Sequence, residues 1–341
     1  MKMTTTVKKS LVTGGAGFIG SHLVERLLKA AHQVTVIDNL SVGRLSNLAD
    51  FQPQIEQQQL KFIQADIRDY ESIAPHFSAQ DWVFHLAALA DIVPSIERPD
   101  DYFTTNVDGT FNVLKASQQA QVKRFVYAAS SSCYGIPDQY PTPETAEIRP
   151  EYPYALTKRM GEELVLHWAK VYGLHANSLR FFNVYGPKVR TTGTYGAVFG
   201  VFLAQKLNGK PFTVVGDGTQ SRDFTYVTDI VEALYQTADS NLMAEVMNVG
   251  SGHHYTINQL VELLGGEVVY IPKRPGEPDM TFADIQKIQH QLGWQPKVTF
   301  KQGVQKMLAH IEDWQDAPLW EADSIAQATA AWFQYLSPNP K

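Results

Sequence analysis

Three things are scarce in this sequence. Cysteine occurs once in 341 residues, at Cys133. A disulfide framework and a thiolate zinc site are therefore excluded, no metal is expected, and a reducing, cytoplasmic setting fits best. Long apolar runs are missing, since none approaches the roughly 18 to 20 residues that a spanning helix needs. An excess of positive charge is missing too: 29 Lys+Arg stand against 35 Asp+Glu, a net charge of -6. No general field would draw the chain to nucleic acid or to an anionic membrane. The lead-in Met1 to Lys9 also lacks the apolar core and small-residue cleavage site of a secretory signal.

The chain has 44% hydrophobic and 19% charged residues, a globular balance with length for one large or two modest domains. Short β-rich runs at Ser10-Thr13, Val34-Ile37, Phe62-Gln64, Trp82-Leu86, Phe125-Ala128 and Asn177-Phe181 alternate with helical stretches. Crossovers of that length predict a parallel sheet covered on both faces, a Rossmann-like doubly wound α/β fold. After about Phe181 the rhythm loosens into Gly- and Pro-containing loops. Residues 1–180 are therefore expected to form a dinucleotide-binding domain. Residues 181–341 would mainly form a smaller substrate domain, with some segments returning to the first. In the tail, Trp314, Trp320 and Trp332 are expected to dock onto the body.

The first strand runs into Thr13-Gly14-Gly15-Ala16-Gly17-Phe18-Ile19-Gly20 and then a helical pattern. Gly14, Gly17 and Gly20 permit a tight turn and let free helix N–H groups meet a pyrophosphate. Asp38 closes the second strand, about 20 residues on, where a carboxylate accepts the two ribose hydroxyls and repels a 2′-phosphate. NAD is thus expected rather than NADP. Asp66 and Ile67 follow the third strand and can hold the adenine edge; Leu86, Ala87 and Ala88 follow the fourth and can line the cofactor channel. His85 has no partner at metal spacing and reads as a satisfied strand-end histidine.

Tyr154 and Lys158 are spaced i, i+4 and share a helical face. A phenol with pKa near ~10 is a poor base at neutral pH. A nearby ammonium and an oxidised nicotinamide ring would favour phenolate, a base able to accept a sugar hydroxyl proton. Ser130-Ser131-Ser132 ends a buried strand and can set a hydroxyl opposite Tyr154. Cys133 has no basic partner and reads as a packed thiol.

Taken together, the motifs from Lys9 to Pro296 resemble the extended short-chain dehydrogenase/reductases that act on nucleotide sugars, and within them the NAD-dependent 4-epimerases. Besides those above, Asn106-Val107-Asp108-Gly109-Thr110, Arg180 to Pro187, Gly216-Asp217-Gly218, Arg222-Asp223-Phe224 and Arg274-Pro275-Gly276-Glu277 carry the likeness. The resemblance implies Ser130 as catalytic hydroxyl, Tyr154 as base and Lys158 as the nicotinamide ribose anchor. It adds Phe18, Ile19, Asn39, Ser41, Gly43, Asn106 and Phe182 to the cofactor pocket. To the substrate it assigns Ser131, Ser132, Ala197, Val198, Thr213, Val214 and Glu277. Asn183, Arg222 and Arg274 would hold the diphosphate.

The family's dehydratases and uronate decarboxylases resemble Thr-Asp-Glu and Thr-Ser-Glu where this chain has Ser130-Ser131-Ser132, so their extra carboxylates are absent here. That leaves 4-epimerisation of a UDP-sugar, with a nucleotide-sugar reductase or dehydrogenase, or an NAD-sensing protein, as alternatives. Thr281 resembles a gate position where tyrosine excludes N-acetylhexosamines, and Arg190 matches a position facing a C6 carboxylate in glucuronate epimerases. The stretches Asp101 to Gln118 and Leu156 to Tyr172 resemble the family's four-helix interface, which implies a homodimer.

Overall fold

The computed structural model describes residues 7–189 and 198–337. Six strands stand at the apolar runs: β1 (Lys9–Thr13), β2 (Gln33–Asp38), β3 (Leu60–Gln64), β4 (Trp82–His85), β5 (Arg124–Ser130) and β6 (Ala176–Phe181). A seventh, Val246–Val249, pairs parallel to β6. The sheet order is Val246–Val249, β6, β5, β4, β1, β2, β3, and every pairing is parallel.

Burial on both faces explains why these strands read as near-continuous apolar runs. Successive side chains point to opposite faces. Val12, Val36, Phe84 and Val126 join one core, with Leu23, Val24 and Leu27 of the helix Phe18–Lys29. Their neighbours Leu11, Ile37, Val83 and Phe125 join the other, with Val113, Leu114 and Val165.

The chain winds outward from β1 to β3, then restarts at β4 on the other side of β1 and winds the opposite way. Loops leaving β1 and β4 therefore diverge. Such a switch point opens a crevice at the carboxyl ends of the strands.

Past Phe181 the chain adds three small strand pairs: Val184–Tyr185 with Thr225–Tyr226, Phe212–Val215 with Val268–Ile271, and Ser221–Arg222 with Tyr255–Thr256. An aromatic cluster anchors them, with Tyr185 stacked on Phe199 at 4.6 Å and Tyr255 on Phe300 at 4.3 Å between ring centroids. This half also returns to the sheet, through Val246–Val249 and through the helix Val227–Asp239, which packs on Phe18–Lys29. Arg26 and Glu232 pair across that contact at 2.9 Å. Among the described residues no helix is long and apolar enough to cross a membrane.

Candidate active site

The glycine turn is pressed against its neighbours. Gly14 has φ 71°, a left-handed value that favours glycine, and a Cβ there would stand 2.7 Å from Ala87 N. A Cβ on Gly20 would lie 2.1 Å from the Gly14 carbonyl oxygen. The helix Phe18–Lys29 begins at Gly17 with no side-chain cap and no acidic residue in its first turn. Its first N–H groups therefore lack a side-chain acceptor, and the local potential is positive. These features fit a bound pyrophosphate.

Asp38 accepts from Ala16 N at 3.0 Å and Leu40 N at 2.8 Å. A carboxylate has about four acceptor sites, so capacity remains for two ribose hydroxyls. A Cβ on Gly43 would sit 2.7 Å from both Asp38 oxygens, so any larger residue would crowd the carboxylate. Asp66 is more heavily engaged. It accepts from Arg68 N, Nε and Nη2 at 2.9, 3.0 and 2.7 Å and from Asn39 Nδ2 at 2.9 Å. The Arg68 guanidinium holds its carboxyl down to about 2. An adenine amine approaching that carboxylate would have to displace one of these donors.

His85 is fully buried and makes a directed chain. Thr110 Oγ1 donates to the Asn106 carbonyl at 2.6 Å, so toward His85 Nε2, 2.9 Å away, it accepts. The proton is thus on Nε2. Nδ1 accepts from Thr13 Oγ1 at 2.7 Å, which in turn accepts from Ala87 N at 3.3 Å. Burial lowers the imidazole to about 3, so it stays neutral and pins the β1 turn to the β4 loop. Asn106 lies in the π-helical turn Thr104–Asp108. It exchanges two bonds with Leu89 N and O, at 2.9 and 3.0 Å, and donates to Thr157 Oγ1 at 3.1 Å. Asn106 thus fixes the cofactor-side loop to the helix that carries Tyr154.

That helix runs Pro153–Tyr172, its φ preset by proline in the first turn. Tyr154 opens it and Lys158 lies one turn on. Ser130, the last residue of β5, contacts Ser132 Oγ at 2.7 Å and shares a cavity wall with Tyr154. Burial raises the Tyr154 phenol, and the nearby Ser130 hydroxyl opposes that rise. Burial also pulls the Lys158 ammonium down to about 7; its Nζ lies 4.2 Å from the centroid of the Tyr127 ring. Burial thus opposes the phenolate that Lys158 and an oxidised nicotinamide together are expected to favour.

One cavity of about 600 Å³ joins the two halves. Ser130, Ser131, Ser132 and Tyr154 line it from the sheet side, with Phe18 and Ile19 at the turn. From the other half come Phe182, Asn183, Val198 and Thr213. Arg222, Arg274, Glu277 and Thr281 complete that wall. Glu277 stands between the two arginines, 2.6 Å from Arg222 Nη2 and 3.7 Å from Arg274 Nη1. Two guanidinium groups against one carboxylate leave net positive charge for an anion.

A sequence model described as the NAD dependent epimerase/dehydratase family matches residues 10–250, and one of GDP-mannose 4,6 dehydratase matches residues 267–307. The chain belongs to the NAD-dependent epimerase/dehydratase family. A putative UDP-glucose 4-epimerase of Methanocaldococcus jannaschii is 35% identical over 311 residues, 87% of this chain and 96% of that one. UDP-glucuronic acid decarboxylase 1 of Xenopus tropicalis is 32% identical over 89% of this chain and 72% of its own. The UDP-glucose 4-epimerase of Thermotoga maritima, solved with UDP-glucose, superposes with a TM-score of 0.82 at 35% identity, covering 89% and 99% of the two chains. NAD is the cofactor of this family.

Of the family positions read from sequence, Asp38, Asn39 and Asp66 gather at the ends of β2 and β3. Leu86 to Ala88 follow β4. Val214 is fully buried, and its neighbours Thr213 and Val215 line the cavity instead. Arg190 and Ala197 lie outside the described residues. Asp223 is scaffold: it accepts from Ser251 N, Ser251 Oγ and Ala283 N at 2.6, 2.7 and 3.0 Å.

Sequence reasoning missed Tyr152, which lines the cavity beside Ser132 and stacks 6.4 Å from Tyr154. It also missed Asp91, whose charge acts on Tyr154. Neither stands in a spaced motif with a chemical signature. Cys133 is a buried thiol pushed up to about 12.

Proposed function

We propose that this protein is an NAD-dependent 4-epimerase of UDP-sugars. One observation carries the reading: a single cavity places the Ser130 and Tyr154 hydroxyls on one wall and the Arg222, Glu277, Arg274 group on another. The arginines hold the diphosphate with charge-assisted hydrogen bonds. Tyr154 takes the proton from the sugar O4, and the Ser130 hydroxyl bonds that same oxygen and steadies its charge. Bound NAD supplies the chemistry of removing hydride from C4 and returning it. The fixed diphosphate then lets the 4-keto sugar turn about its link and present its other face, and Tyr154 gives the proton back.

Ser131 and Ser132 occupy the positions where water loss or decarboxylation would call for carboxylates. Asp91 lines the cavity together with Tyr154. Thr281, a small residue at the expected gate, lies in the same cavity wall, and UDP-hexose or UDP-N-acetylhexosamine is ranked ahead of UDP-glucuronate.

Purified protein incubated with a panel of UDP-sugars and followed by proton NMR tests the reading. C4 isomers should form without added NAD and without net NADH. Stoichiometric NADH, or a pentose product from UDP-glucuronate, would favour a reductase or decarboxylase. Tyr154→Phe should keep NAD binding and lose roughly 10²- to 10⁴-fold in turnover, the range for a general acid-base group.

A further inference from the structure

The two family models end at residue 307, but the described chain continues through a turn at Ile311–Trp314 and helices Ala322–Ala328 and Ala330–Leu336. This tail is built into the cavity. Trp314, Pro318, Trp320 and Trp332 all line it. Trp314 is fully buried against the helix Val198–Leu207, and its indole N–H has no hydrogen-bond partner among the described residues. Gln205 Nε2 donates to the Trp320 carbonyl at 2.6 Å and contacts Thr213 Oγ1 at 2.8 Å, tying the tail to a cavity wall.

The far end of the tail reaches the loop that carries Arg274. Trp332 Nε1 donates to the Pro275 carbonyl at 2.6 Å, and the Arg274 guanidinium lies 5.6 Å from the centroid of its ring. The same indole also meets the wall that carries Tyr154, with Tyr152 at 6.3 Å and Tyr152 in turn stacked beside Tyr154. The helix Ala330–Leu336 packs on Ile92–Glu97, which follows Asp91 in the sheet half. The tail thus spans from the arginine loop to the sheet half.

Resting on the reading of a nucleotide-diphosphate sugar, we propose that the C-terminal segment 311–336 is a wall of the substrate site and that Trp332 is a positioning residue acting through Arg274. A long arginine side chain loses much rotamer freedom when it grips a ligand. Contacts with the Trp332 indole and with Glu277 restrict Arg274 before the ligand arrives, so less freedom is lost on binding. The hydrogen bond to Pro275 fixes the backbone next to that arginine.

The test measures UDP affinity by titration calorimetry in the full-length wild type, Trp332→Ala, Arg274→Ala and the double variant, with NAD affinity and thermal unfolding as controls. Trp332→Ala should weaken UDP about 10-fold or more, and the double variant should bind no more weakly than Arg274→Ala alone, because the indole acts through the arginine. In steady state the KM for the UDP-sugar should rise while kcat changes less than about threefold. Trp332→Phe, which keeps an aromatic face but loses the N–H donor and one of the two fused rings, should recover part of the affinity and covers the case in which the alanine variant fails to fold. Independent, additive losses, or equal losses of UDP and NAD affinity, would overturn the proposal. Wild-type protein that binds UDP normally but forms no C4 isomer would overturn the epimerase reading and leave the role of Trp332 intact. Wild-type protein that does not bind UDP would overturn both.

Discussion

The Thr281 hydroxyl donates to Asn183 Oδ1 at 2.7 Å and accepts from Asp223 N at 3.0 Å. A residue read from sequence as a gate for substrate size is therefore also a joint between Asn183 and the buried loop at Asp223. Thr281→Tyr should reduce kcat/KM for a UDP-N-acetylhexosamine at least about 10-fold more than for a UDP-hexose, because it adds bulk to the cavity. Thr281→Val keeps the volume and removes both bonds. It should weaken the two substrates alike, by roughly 5- to 10-fold for a net loss of about 1 to 1.5 kcal/mol. Steady-state kinetics on the pair of sugars separates size from hydrogen bonding.

Lys158 gives the NAD-free protein a pH signature. Its ammonium is pulled from 10.5 to about 7 by burial, so between those values the unfolded chain binds the proton and the folded chain does not. Stability from this group rises with pH across that window, and its cost is complete below about pH 7. Lys158→Met should be more stable than the wild type by a margin that is largest at pH 7 and below and shrinks toward pH 10. Urea unfolding of both proteins, stripped of NAD, measures the margin.

Glu162 lies one turn past Lys158 and is nearly fully buried with Arg180. Arg180 Nη2 donates to its Oε1 at 2.7 Å and Ser178 Oγ to its Oε2 at 2.9 Å. Arg180 also donates to Tyr134 Oη at 2.7 Å, joining β6 to the turn after the serines. Glu162→Ala leaves the guanidinium buried without its counter-charge and should cost about 3 to 5 kcal/mol in denaturant unfolding. Hydrogen bonding from Arg180 helps hold the Glu162 carboxyl below its ordinary value. The stability it supplies is therefore present above the glutamate range and lost as pH falls through the lowered value.

The helices expected to form a dimer interface carry exposed apolar side chains: Phe111 on Gly109–Gln119, and Leu156 and Tyr172 on Pro153–Tyr172. Phe111 and Tyr172 both pack on Trp168, at 5.4 and 5.1 Å between ring centroids. Contiguous exposed apolar surface of this kind is usually covered by a partner, and a second copy of this chain is the expected occupant. Light scattering at micromolar concentration should give twice 38.1 kDa, and Phe111→Glu combined with Tyr172→Glu should shift the mass toward the monomer.

Six strands, the glycine turn and the Tyr154 helix were legible because each follows from local chemistry: apolar runs of strand length, glycine where the backbone turns sharply, and i, i+4 spacing on a helix. The arginine and serine motifs were legible as compact strings. Tyr152, Asp91 and Trp332 were not, because the contacts that matter are made far along the chain, as between Trp332 and Pro275, 57 positions apart, and between Tyr152 and Trp332 across 6.3 Å. The sign of the effects on Tyr154 was also hidden, since burial depends on what packs around the phenol.

By itself the sequence determined the doubly wound sheet, the glycine turn after its first strand, and the serine run and Tyr154 helix that meet at the cavity, all encoded in periodicity and short spacings. Only the tertiary structure decided which strand closes the sheet beside β6, that Glu277 is shared by Arg222 and Arg274, and that the tail walls the cavity. Those outcomes depend on which distant surfaces exclude water together and which charges meet there, and no local pattern in the chain records them.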